Sequence, residues 1–95
     1  MLYVSYKLYI SKNKFLGLHV VQVKNGKFVS FYPFEKECES MCWVDTIMLT
    51  NHNVEHQHVD SVFDLLPSEF VADDLYAYRV DETADNGGYV IKKLS

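Results

Sequence analysis

Three of the four histidines of this 95-residue chain lie within seven residues, in Asn51-His52-Asn53-Val54-Glu55-His56-Gln57-His58, with Asp60 just beyond. In an extended segment His56 and His58 point to the same side, about 6–7 Å apart, because side chains repeat every second residue along a strand. Two imidazoles so placed can share a zinc, nickel or copper ion, with His52 or Asp60 as a third ligand. A coordination position left open on that metal would activate water for hydrolysis. The plainer alternative is a run of solvated loop histidines: an H-x-H pair alone has low specificity, and no second ligand cluster in the chain completes it. A divalent metal at His52, His56 and His58 is the one cofactor this pattern suggests; otherwise none is expected.

Nucleophilic chemistry has weaker support. Cys38 and Cys42 lie four residues apart. A disulfide between them is one option, reduced and inert thiols the other, and the lack of a secretion signal favours the second. A Cys-His pair lacks a third group to orient it. Asp73-Asp74 and Asp81-Glu82 read as solvated turn residues, since no apolar surroundings raise a carboxyl toward acid catalysis. There is no phosphate-cradling glycine loop and no nucleophile elbow. A dedicated enzyme is therefore not expected.

The aromatic side chains offer a different chemistry, that of contact surfaces. Tyr3, Tyr9, Phe31, Tyr32, Tyr76, Tyr78 and Tyr89 could stack on bases or sugars, or fill a sheet core as cross-strand pairs. Tyr3 and Tyr9 fall on the opposite side of the first strand from its Leu-Val-Ile stripe. Together with Phe31 and Tyr32 they are the expected interface residues.

Strands must position these groups. Leu2, Val4, Tyr6, Leu8 and Ile10 alternate with Tyr3, Ser5, Lys7 and Tyr9, a period-2 pattern that predicts a strand. Residues 11–14 are a polar turn. Residues 15–24 and 27–34 predict a hairpin about Asn25-Gly26, because a type I′ turn needs positive φ at both central positions. Its expected register sets Val23 opposite Phe28, Val21 opposite Ser30, His19 opposite Tyr32, and Val20 opposite Phe31. Apolar residues on both faces imply that a second sheet or a partner chain covers the hairpin.

Residues 41–50 are a fourth strand, interrupted by Asp45; residues 75–81 and 89–94 are a fifth and sixth. Val59, Val62, Phe63 and Leu66 follow the spacing of a short amphipathic helix over 59–66, capped by Asp60 and limited by Pro67. The expectation is one mainly β domain over residues 1–95, with about six antiparallel strands in a β-sandwich or small open barrel and one short helix.

Residues 1–34 carry five lysines and no acid, whereas residues 35–95 carry all 13 acids against Lys36, Arg79, Lys92 and Lys93. These parts, +5 and −9, give the net −4. The expected arrangement has them neutralise each other within one sheet, and the acidic total disfavours nucleic acid. No apolar run approaches the roughly 20 residues that cross a bilayer, and Lys7 interrupts the only leader-like stretch. A cytoplasmic protein with no membrane association is expected.

Residues 18–50 resemble the small β-sandwich domain of amidohydrolases. The likeness rests on the strand–turn–strand run from Leu18 through Asn25-Gly26 to Phe34, and on Trp43-Val44-Asp45-Thr46-Ile47-Met48-Leu49 after it. The resemblance implies sandwich geometry only: the family's catalytic barrel is absent, and His56-Gln57-His58 lacks the residues that precede its metal-binding H-x-H. Two roles follow. The first is a non-enzymatic protein-interaction or accessory domain, binding a protein partner or forming a homodimer. The second is a metal-binding protein, or metal-dependent hydrolase, using His52, His56 and His58.

Overall fold

The alternating N-terminal segment forms a ten-residue strand, β1 (Leu2–Ser11), in the computed structural model, which describes residues 1–36, 40–54, 57–83 and 87–95. On one edge β1 pairs in parallel with β5 (Met41–Thr50), from Leu2 opposite Met41 to Tyr9 opposite Met48. Its other edge is shared. The first half pairs with β3 (His19–Lys24) and the second with β2 (Lys14–Leu16).

The expected single strand over 15–24 is thus divided at Gly17 and Leu18, yet its ladder keeps one register: Leu8 opposite Leu16, Ser5 opposite His19. The interruption lies opposite Tyr6 and Lys7, where β1 also changes phase. Tyr3, Leu8 and Ile10 all enter the same core, although a regular strand sends odd and even residues to opposite faces. The phase of β5 changes at the same level, since Val44, Ile47 and Leu49 share that core. A bend line therefore crosses three strands. The hydroxyl of the fully buried Ser5 stands on it, donating to the Lys7 carbonyl at 2.5 Å and lying 3.5 Å from the Asp45 carbonyl. A buried hydroxyl and a displaced carbonyl each need such a partner.

Asn25 and Gly26 have φ of 54° and 83°, the positive pair a type I′ turn requires, and they join β3 to β4 (Lys27–Pro33). Val23 lies opposite Phe28 as expected, but beyond it the register moves by one residue: Gln22 opposite Ser30, Val21 opposite Phe31, Val20 opposite Tyr32 and His19 opposite Pro33. The cause is a bulge at Val29, an extra residue that pairing rules applied from the turn alone do not include. Both Val20 and Val21 are buried, so the chain itself covers both faces here.

β7 (Tyr76–Glu82) pairs with the second half of β5 and with β8 (Tyr89–Lys93), and β8 pairs with β6 (Gln57–Val59). β4 meets β7 at Lys27 and Tyr76, reinforced by hydrogen bonds from Phe28 N–H to the Leu75 carbonyl and from Ala77 N–H to the Gly26 carbonyl. The ring β5-β1-β3-β4-β7 closes back on β5. One sheet of eight strands among the described residues curls until opposite parts face each other across a core. The fold is mainly β, as expected, with two three-residue strands added to the anticipated six. All pairings but β1 with β5 are antiparallel.

The helix expected over 59–66 does not form. Val59 belongs to β6, opposite Tyr89, and only a 3₁₀ turn spans Val62–Asp64, capped by Ser61 and not by Asp60. Strand pairing takes the first residue, and the remainder before Pro67 is too short for a helix to sustain itself. Val62 and Leu66 are still buried, in a second core with Met48, Tyr78, Val80 and Ile91 on the outer side of the sheet. Among the described residues the ion pair present is Arg79 with Asp81, and among them none joins the lysine-rich part to the acid-rich part. Lys7, Lys27 and Lys93 lie over aromatic rings instead, at 4.9–5.9 Å.

Candidate functional site

The outer wall of the ring carries the most developed surface. Val4 pairs with Trp43 on one side and with Val20 on the other, and Val20 pairs with Tyr32. Directly paired residues share a face, so Trp43, Val4, Val20 and Tyr32 form one row across β5, β1, β3 and β4. At about 4.8 Å per strand the row is about 14 Å long. The two valines are fully buried, so the exposed surface of the row is aromatic. The two aromatics stand at its ends, 40% and 43% exposed.

Two more rings lean on Trp43: Phe34 at 5.2 Å and Tyr6 at 5.5 Å between centroids, inclined at 66° and 40°. Beside the row runs a groove of about 300 Å³ lined by Val20, Tyr32, Pro33, Glu35, Lys36 and Met41. Its two charges are of opposite sign and adjacent in sequence. The row holds no carboxylate, imidazole or thiol. Its chemistry is that of a contact surface.

The expected interface residues are dispersed. Tyr32 is in the row. Tyr3 is not on an open face: it is buried in the ring core with its hydroxyl donating to the Ser95 carbonyl at 3.1 Å. The phase change at Tyr6–Lys7 turned it inward, and it turned Tyr6 outward to 58% exposure. Phe31 is half-buried against Phe28, Phe70 and His19. Tyr9 belongs to a separate aromatic group with the exposed Phe15 and Phe63, each 5.8 Å away, and Lys7 above the Tyr9 and Phe15 rings. Tyr6, Phe34 and Trp43 went unrecognised. Tyr6 sat in the apolar alternation, and nothing in the sequence marks Trp43 as outward in a strand half of whose residues are buried.

Of the histidines, His52 is exposed. Its backbone is held by Thr50 Oγ1, which accepts from its N–H at 3.2 Å, and by the Tyr78 hydroxyl, which donates to its carbonyl at 2.8 Å. His58 is exposed on β6, its ring lying over Gly88. His56 lies outside the described residues, as does Cys38. Among the described residues no group of three His, Cys, Asp or Glu is placed to hold a metal ion. Cys42 is a free, exposed thiol 4.0 Å from the Met1 sulfur. Asp81 is occupied by Arg79. No helix among the described residues is long and apolar enough to cross a membrane.

Comparison with protein-family profiles, with curated proteins and with solved structures finds no match to this chain.

Proposed function

We propose that the domain is a non-enzymatic interaction module that holds a short segment of a partner protein on its aromatic face. The observation that carries this is the cluster of exposed rings on one face, Tyr6, Trp43 and Tyr32, with Trp43 and Tyr32 set at the two ends of a row whose middle residues, Val4 and Val20, are buried. Aromatic side chains with a polar edge dominate the energetics of protein contacts.

The size of the face favours a segment over a second copy. Tyr6, Tyr32 and Trp43 are 58%, 43% and 40% exposed. At 150–250 Å² per aromatic side chain they offer roughly 300 Å². A stable dimer uses about 800 Å² from each partner. A face of this size suits a few residues of an extended chain.

A random-peptide display selection against the purified domain tests this. Binders retained by the native protein and lost on both Trp43→Ala and Tyr32→Ala are expected. A selection that yields no binder, or binders indifferent to both changes, overturns the proposal, as does a stable dimer in light scattering.

A further inference from the structure

We infer that the segment held at Trp43 is acidic and sets a carboxylate between Arg79 and Lys92, an inference that rests on the interaction role proposed above. The ladder of β5 with β7 ends at Ile47 and Arg79. Beyond that pair lies a cleft of about 290 Å³, lined by Arg79, Lys92 and Lys93 with Tyr3, Trp43 and Leu94. Three of the four cations of residues 35–95 thus meet at one place, in the part of the chain that carries all 13 acids. Among the described residues no carboxylate side chain lines this cleft.

Arg79 and Lys92 lie directly opposite each other on β7 and β8. Like charges so placed repel. Asp81 offsets part of this, but it takes only the Nε of Arg79, at 3.1 and 3.2 Å. Among the described residues the two Nη groups of Arg79 and the ammonium of Lys92 have no hydrogen-bond partner. Lys93 is engaged elsewhere: it donates to Asn53 Oδ1 and lies over the Tyr76 ring. A carboxylate between Arg79 and Lys92 relieves their repulsion and accepts from a guanidinium fork that matches its shape.

The cleft continues the aromatic face, because Trp43 both ends the row and lines the cleft. An extended segment rises about 3.3 Å per residue, so about four residues cover the row and the next reaches the cleft. Single-stranded nucleic acid would also seek aromatic rings, but it brings a phosphate with each nucleotide. Asp45, Asp81 and Glu82 line the neighbouring cleft of about 480 Å³, and the chain is −4 overall, so a string of phosphates is repelled where a single carboxylate is not.

The peptides recovered by display on the native protein are expected to be enriched in Asp and Glu. Trp43 is the only tryptophan, so its emission follows titration with the most enriched of them, made synthetically. Arg79→Gln with Lys92→Gln should weaken binding at least about threefold, the loss of two solvent-exposed charge pairs. Replacing the acids of the peptide by Gln should weaken its binding to the native protein to a similar extent. The same peptide change should have little further effect on the double variant, since both remove one contact. Binders without acidic enrichment overturn the inference, as do additive effects of the two changes, no effect of either, or tighter binding of oligothymidylate. If such binders still depend on Trp43 and Tyr32, only the acidic assignment fails. If no displayed binder is found, the interaction role fails with it.

Discussion

The Ser5 hydroxyl donates to the carbonyl oxygen of Lys7, two residues further along the same strand, at 2.5 Å. In a regular strand that carbonyl belongs to the ladder. Here it sits where β1 changes phase, and the buried hydroxyl satisfies it. Ser5→Ala removes the donor and leaves the carbonyl without this partner, at a cost of about 1–3 kcal/mol. Urea unfolding should show a lower midpoint with an unchanged slope.

The same bend assigns opposite roles to two tyrosines three residues apart. Tyr3 fills the ring core and Tyr6 stands in solvent against Trp43. Tyr3→Ala is expected to cost about 3–5 kcal/mol, as large-to-small changes of buried aromatics do. Tyr6→Ala should cost under about 1 kcal/mol. Equal losses in thermal or denaturant unfolding would contradict the phase change.

Tyr78 secures the segment that carries His52. Its phenol oxygen accepts from Val54 N–H at 2.8 Å and donates to the His52 carbonyl at 2.8 Å. The ring is fully buried in the second core. Tyr78→Phe keeps the ring and removes both bonds, so a loss of about 1–3 kcal/mol is expected. Amide exchange at Val54 should accelerate more than exchange in β5.

Gly26 combines a turn with the closure of the ring. Its φ is 83°, and its carbonyl accepts from Ala77 N–H at 3.2 Å. A methyl group there would lie 2.8 Å from the Lys93 side chain, which can move, so the backbone conformation sets the cost. Gly26→Ala should destabilise by about 1–2 kcal/mol. Gly17→Ala, where nothing lies within 4 Å of the added carbon, serves as the control and should be near neutral.

Much of this protein was legible from local pattern. Alternation marked β1, the span 41–50 matched β5, and Asn25-Gly26 gave its turn, because each depends on a few consecutive residues and short-range sterics. The faces were less legible. Period 2 holds only while a strand stays regular, and the bulge at Val29 and the bend through Tyr6–Lys7, Gly17–Leu18 and Asp45 each reset it. Both arise because a small sheet must coil tightly to close a ring, a demand no single strand expresses. The 59–66 helix failed likewise, since pairing of Val59 with Tyr89 depends on a strand thirty residues away.

Local pattern alone set the strand-rich class, the central hairpin and the aromatic supply for a contact surface. Which aromatics face outward was settled by the folding of the sheet. That choice follows from closure of the sheet, which turned Tyr3 in and Tyr6 out, and from cross-strand register, which set Trp43 and Tyr32 at the two ends of one row. Alternation is local, whereas register and closure join residues far apart in the chain, so the face exists only once the ring is formed.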